Sequence, residues 1–165
     1  LSQSYIQDLI EDLTREGVKF IIAGGVAVVL HGVSRATMDI DAAIAMNIEN
    51  LEKFLAVMKR NSMVPRAPVP AEELLDPSKR TAMVKEKGAI VFTFIDNDKP
   101  FKQLDVFLTE SLSYEALVED VDVFQIGNSQ VKVLSKKKLI SLKRAVVPVR
   151  TKDLFDIEEL SKLKD

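Results

Sequence analysis

Residues 18–23 are mainly β-branched and apolar, the run stops at Gly24-Gly25, and apolar chain resumes over residues 26–30 until Gly32. That pattern constrains the fold to a buried strand, a glycine turn and a short helix. The run over residues 20–30 is too short to cross the roughly 30 Å of a bilayer core, and an amphipathic acidic stretch precedes it. Further on, Asp39 and Asp41 sit on either side of Ile40 in a second apolar run that ends near Met46. Alternate side chains of an extended strand share a face, so the two carboxylates point one way while Met38, Ile40, Ala42 and Ile44 point into a core. Two like charges side by side call for a cation. A hard divalent ion with oxygen ligands, Mg²⁺ above all, meets that need, and such ions commonly arrive with phosphates.

The remaining elements follow from periodicity. Tyr5, Ile6, Leu9, Ile10 and Leu13 recur at helical spacing before Gly17, and Leu51, Phe54, Leu55 and Met58 mark a second amphipathic helix. Residues 65–87 alternate prolines and charges, which predicts a mobile region with no long helix, although residues 71–75 suit a turn or two. Residues 89–95 and 102–108 read as a hairpin, with Gln103, Asp105 and Phe107 on one face. A second hairpin pairs residues 121–126 with 131–134 around Gly127-Asn128. Two helices, about residues 135–146 and 151–163, close the sequence on either side of Pro148.

There is no repeat and no composition shift to mark a boundary, so residues 1–165 are expected to form a single domain; domains usually hold roughly 100–200 residues. Hydrophobic residues make up 47% and charged residues 29%, enough apolar material for a packed interior and too much for disorder as the main state. The net charge of −2 gives no global attraction to nucleic acid or an anionic membrane. With no cysteine, disulfides, thiolate chemistry and zinc fingers are excluded, which fits a reducing cytoplasm. The one histidine, His31, cannot supply a two-His metal site and is expected to cap or pack at the end of its helix. Because Leu and not Met comes first, a start residue or tag is expected to have preceded it.

A glycine pair between a strand and a helix start lets backbone amides approach a phosphate with no side chain in the way. It also serves tight packing alone, just as an Asp-x-Asp pair also occurs on solvated edge strands. Arg35, just before the carboxylate strand, can reach a phosphate or form an ion pair with Asp39 or Asp153. Lys143 falls on or beside the buried face of the penultimate helix, where it can point inward or extend to solvent. Lys152, Asp153 and Asp156 open the last helix, where acids complement the helix dipole. Lys136, Lys137 and Lys138 form a basic cluster that reads as a solvated face or a contact for a nucleic-acid acceptor.

Taken together, the glycine turn, Arg35, the same-face carboxylates and a third strand carboxylate at Asp105 supply the parts of a two-metal phosphoryl-transfer site. The stretch from Gly24-Gly25-Val26-Ala27 through His31-Gly32-Val33-Ser34-Arg35-Ala36-Thr37-Met38-Asp39-Ile40-Asp41 resembles the signature of the nucleotidyltransferase superfamily, with its DNA polymerase β-like fold. It is most similar to small prokaryotic members, which include abortive-infection-type toxin nucleotidyltransferases of toxin–antitoxin systems. The ending Arg150-Thr151-Lys152-Asp153-Leu154-Phe155-Asp156 through Leu160 resembles that subgroup's C-terminal helix. The resemblance implies an α/β (α+β) fold, a mixed sheet flanked by helices. It also implies a nucleoside triphosphate held by Gly24 and Gly25, two Mg²⁺ (or Mn²⁺) ions held by Asp39, Asp41 and Asp105, and transfer of a nucleoside monophosphate to an acceptor hydroxyl. By the same resemblance, Lys152 or Asp153 would line the nucleotide pocket. Many members carry Gly-Ser at the turn, where this sequence has Gly25, which lowers the expected nucleotide affinity. The acceptor, a small molecule, tRNA or a protein, is not specified. The alternative is a catalytically silent nucleotide-binding or regulatory module of the same fold.

Overall fold

The structure, a computed structural model, describes residues 4–164. Seven strands form one mixed sheet in the order β3-β4-β5-β2-β1-β7-β6. These are β1 (Phe20–Ala23), β2 (Asp39–Ile44), β3 (Met63–Pro65), β4 (Val91–Asp96), β5 (Gln103–Phe107), β6 (Val121–Ile126) and β7 (Ser129–Leu134). The helices are α1 (Tyr5–Arg15), α2 (Gly24–Leu30), α3 (Ile48–Arg60), α4 (Pro77–Lys87), α5 (Tyr114–Leu117), α6 (Lys136–Arg144) and α7 (Thr151–Lys162). No helix among the described residues is long and apolar enough to cross a membrane.

Strand β2 lies near the middle of the sheet. It pairs antiparallel with β1, setting Ala23 opposite Asp41, and parallel with β5, setting Asp39 beside Gln103 and Asp41 beside Asp105. Ile40, Ala42 and Ile44 are buried, in line with the one-sided apolar pattern, while Asp39 is exposed; Ala43, further along the carboxylate face, is buried as well. Met38, expected in the core, lies before the strand begins and is 53% exposed.

The core lies against α1 and α3, whose apolar stripes supply Ile10, Leu13, Leu51, Phe54 and Met58, all essentially inaccessible to water. At their ends the two helices are tied by charge. Arg60 Nη2 reaches Asp12 Oδ1 at 2.6 Å and Asn61 Nδ2 donates to Asp12 Oδ2 at 2.7 Å. The Arg60 hydrogen bond, foremost, holds the Asp12 carboxyl below its ordinary value.

Within residues 65–87 the short turn expected over residues 71–75 is present, but so is a longer helix that the prolines were expected to prevent. Ala71–Leu75 forms a 3₁₀ turn with Leu74 fully buried, and Pro77 begins α4, where its missing N–H has no helical partner to lose. Asp76 caps α4 by accepting from Ser78 N at 2.9 Å, and Gly88 ends it in the left-handed region at φ 64°. The hairpin β6–β7 turns through Gly127 and Asn128 as the sequence indicates.

Asn50, buried at the start of α3, binds the neighbouring connections. Its Oδ1 accepts from Lys19 N at 2.7 Å, and its Nδ2 donates to Lys19 O at 3.1 Å and Ala45 O at 2.8 Å. Asn50→Ala strips partners from buried backbone groups at the base of β1 and β2 and is expected to destabilise the fold by about 2–3 kcal/mol, read as a lowered urea midpoint with unchanged slope.

Candidate active site

Register builds the site. Because Asp41 stands beside Asp105 on β5 and opposite Ala23 at the end of β1, one face of the sheet carries Asp39, Asp41 and Asp105 next to the glycine turn that opens α2. Burial, foremost, with the negative charges of Asp105 and Asp39, pushes the Asp41 carboxyl up to about 6, against the opposing charges of Lys143 and Lys152.

The turn fits around these side chains closely. A Cβ at Gly24, which has φ +60°, would lie 2.0 Å from Asp41 Oδ2. A Cβ at Gly25 would lie 2.8 Å from Thr37 Oγ1 and 3.0 Å from Arg35 Nη2. The glycines therefore make room for Asp41 at one position and for Thr37 and Arg35 at the other. No side chain caps α2, whose N-cap is Ala23.

Asp105 has partners of its own. Thr93, opposite it on β4, donates from Oγ1 to Asp105 Oδ1 at 2.6 Å, and Gln103 Nε2 reaches both carboxylate oxygens at 3.2 and 3.1 Å. Gln103 in turn accepts from Arg66 through Oε1. Hence Asp39, Asp41 and Asp105 share a face, yet no three His, Cys, Asp or Glu side chains among the described residues are gathered closely enough to hold a metal ion as they stand. The donor chemistry nevertheless suits a hard divalent cation: the site is rich in carboxylate oxygens, and their mutual repulsion is already felt at Asp41.

The cations around the turn are held by α7. Arg35 pairs with neither Asp39 nor Asp153, the partners considered from sequence; its Nη1 lies 2.5 Å from Asp156 Oδ2. Lys143 lies 2.9 Å from the same Asp156 oxygen and 3.5 Å from Asp153 Oδ1. Arg150 reaches Asp153 through Nε at 2.6 Å and Nη2 at 3.2 Å. Both acids are fully buried and Arg35 and Lys143 largely so, whereas Arg150 reaches in from the surface; among the described residues Asp156 Oδ1 has no hydrogen-bond partner. Burial works to raise the Asp153 carboxyl, but the Arg150 hydrogen bond and the charges of Lys143 and Arg150 outweigh it and hold the carboxyl low.

A cavity of about 360 Å³ opens beside this network, lined by Gly24, Asp41, Lys143, Arg150 and Asp153 together with apolar groups of β5 and α6. Of the residues expected at a nucleotide, Gly24 and Lys143 line the cavity, Arg35 stands over the turn in an ion pair, and Lys152 is exposed in the first turn of α7. His31 is structural: its Nε2 donates to Leu134 O at 2.8 Å and its ring packs edge-on against Phe124. In the basic cluster, Lys136 Nζ donates to Leu163 O and Lys138 Nζ lies 3.6 Å from Asp120. Sequence reasoning gave no role to Thr93 or Tyr5. Tyr5, from α1, donates through its hydroxyl to Phe101 O and accepts from Gln103 N; burial, chiefly, raises its pKa, with a smaller upward push from Asp39.

The mixed sheet, flanked by helices on this plan, has the nucleotidyltransferase fold. The solved structures that share it include a lincosamide antibiotic adenylyltransferase, LnuA, with lincomycin bound, at TM-score 0.61 and 17% identity over 97% of this chain and 94% of that one. ANT(2″)-Ia in complex with adenylyl-2″-tobramycin superposes at TM-score 0.59 and 16% identity over 95% of this chain and 88% of that one. An antigenic nucleotidyltransferase-like protein from Paracoccidioides brasiliensis does so at TM-score 0.55 and 16% identity, covering 94% and 73% of the two chains. At such identities the likeness is one of fold. No family model matches the sequence, and no curated protein matches it.

The raised Asp41 pKa has a stability consequence. A carboxyl whose folded value of about 6 exceeds its ordinary 3.8 is penalised for ionising in the fold. The penalty is absent below the ordinary value, grows between the two and is complete above the folded one. In chelator-containing buffer at about pH 7.5, Asp41→Asn is therefore expected to be more stable than the parent by about 2–3 kcal/mol, a gain that vanishes by about pH 3.5, as followed by thermal melts across pH.

Proposed function

We propose that the protein transfers the nucleoside monophosphate of a nucleoside triphosphate to an acceptor hydroxyl and releases pyrophosphate. The observation that carries this reading is the register that sets Asp41 between Asp105 and the Gly24 turn, beside a cavity into whose wall Lys143 and Arg150 are built with Asp41 and Asp153. Lys143 and Arg150 meet the negative charge of a triphosphate there, and Arg35 adds positive potential over Gly25. Asp39, Asp41 and Asp105 would hold divalent metal ions, once Asp105 turns from Thr93 and Gln103. A divalent ion bound there would supply charge neutralisation at the phosphates and would acidify the acceptor hydroxyl.

The chain's own groups account for the rest. Asp105 accepts the proton of the acceptor hydroxyl, whose oxygen attacks the α-phosphorus as the bond from that phosphorus to the pyrophosphate oxygen breaks. Before that turn, Thr93 and Gln103 fix the orientation of the Asp105 carboxylate by donating to it. The protein is thus read as a nucleotidyltransferase enzyme with a nucleoside triphosphate as one substrate, and Lys152 as an outer electrostatic contributor. The two relatives described as adenylyltransferase and as an adenylyl-tobramycin complex support AMP as the transferred group.

The packing of Asp41 over Gly24 and of Arg35 over Gly25 favours one rival, a module that binds nucleotide without transfer. Isothermal titration with ATP, CTP, GTP and UTP in Mg²⁺ is expected to give binding by at least one, lost in Asp39→Ala and Asp41→Ala. Binding equal to the parent in both variants, or none in the parent, overturns the site. Nucleotide binding with no pyrophosphate release across hydroxyl acceptors would establish the silent module instead.

Gly25→Ser tests the turn. A hydroxymethyl group at this position meets Thr37 and Arg35, so the variant is expected to loosen the Arg35–Asp156 pair and to weaken nucleotide binding without abolishing folding, as read by the same titration beside circular dichroism.

A further inference from the structure

On the far side of Asp105 from the cavity that Lys143 and Arg150 line lies a second one of about 270 Å³, between the sheet and the segment that carries β3, the 3₁₀ turn and α4. Its walls are mainly apolar, with Val69, Met83 and Val91 among them, and its mouth carries the exposed Arg66 and Lys87. Among the described residues that line it there is no Asp or Glu. Thr93 is part of the wall, and the same hydroxyl donates to Asp105 Oδ1 at 2.6 Å, so the cavity and the proposed base share one side chain. Arg66 reaches Asp105 by a second route, through the amide of Gln103. That amide oxygen is neutral, and among the described residues no acid forms an ion pair with Arg66 or Lys87.

The sheet order places the parts in line. Thr93 on β4, Asp105 on β5, Asp41 on β2 and the Gly24 turn after β1 follow one another across a single face, with a cavity at each end. We infer that the β4-side cavity is the acceptor site and that it takes a small molecule with an apolar body, an anionic group and a free hydroxyl. The body packs on Val69, Met83 and Val91, the anion meets Arg66 and Lys87, and the hydroxyl turns toward Asp105. Ring-sized apolar pockets with a few convergent polar groups are the usual form of small-molecule sites. A polycationic acceptor is disfavoured by two positive charges at the mouth with no acid among the described residues in an ion pair with them. This rests on the nucleotidyl-transfer reading. In the step it serves, the acceptor O–H gives its proton to Asp105, its oxygen bonds to the α-phosphorus, and pyrophosphate leaves with the electrons of the broken P–O bond.

Three probes with one aromatic body and one hydroxymethyl group separate the possibilities: 4-(hydroxymethyl)benzoate, its neutral amide, and cationic 4-(aminomethyl)benzyl alcohol. Methyl NMR of the full chain at millimolar probe is expected to show the benzoate shifting the Met83, Val69 and Val91 signals, the amide binding more weakly and the cation not at all. The Arg66→Gln, Lys87→Gln double variant is expected to lose about tenfold of the benzoate affinity while the amide, which doubles as a check on folding, binds as before. Equal binding of all three probes, binding of none, or shifts confined to other methyls overturns the assignment. ATP titrated into the same sample reads the other cavity: nucleotide binding without probe discrimination defeats the acceptor site alone, whereas the expected probe pattern with no nucleotide binding supports the pocket and defeats the transfer reading.

Discussion

Crowding of negative charge on one face of the sheet is the constraint around which the rest is arranged. Asp41 is mostly buried beside Asp39 and Asp105, and in a poorly polarisable interior such repulsion is felt strongly. The fold answers with Lys143 and Arg150 in the adjoining cavity. Those cations, with Arg35, would themselves be stranded without counter-charges, and Asp153 and Asp156 supply them from α7. A buried ion network of this kind adds little net stability, because desolvation offsets most of its Coulomb gain; its effect here is to fix where the positive charges stand.

Backbone geometry and electrostatics meet at Gly24 and Gly25. The turn was legible as a place for a close approach, but its immediate neighbours are protein groups: Asp41 over one glycine, Thr37 and Arg35 over the other. That arrangement couples the carboxylate strand to the turn directly, so a change at either position is transmitted to the other.

What the sequence made legible follows from the range of the forces involved. Period-two alternation exposed Asp39 and Asp41 on one face of β2, and period-3.6 stripes marked α1 and α3, because each pattern is local. The shared face of Gln103 and Asp105 was readable in the same way. The α4 segment was not: its apolar stripe is weak, and Pro77, taken as a breaker, starts the helix. The partner of Arg35 is 121 residues away, and no local signal points to it. Asp153 stood as a candidate ion-pair partner, but the helix dipole also accounts for acids at this place, and nothing local showed that it and Asp156 would be buried against Lys143 and Arg150. Thr93 became significant only once the register set it opposite Asp105.

The dependence of the site on α7 also has a temporal meaning. Ribosomes deliver β1, the glycine turn and β2 early, well before Asp153 and Asp156 exist to anchor Arg35 and Lys143. Until α7 has emerged and docked, the nascent chain carries the three carboxylates with their opposing cations unfastened, so the charge pattern of the site is completed only once α7 has been made, and a chain stopped before it cannot display it.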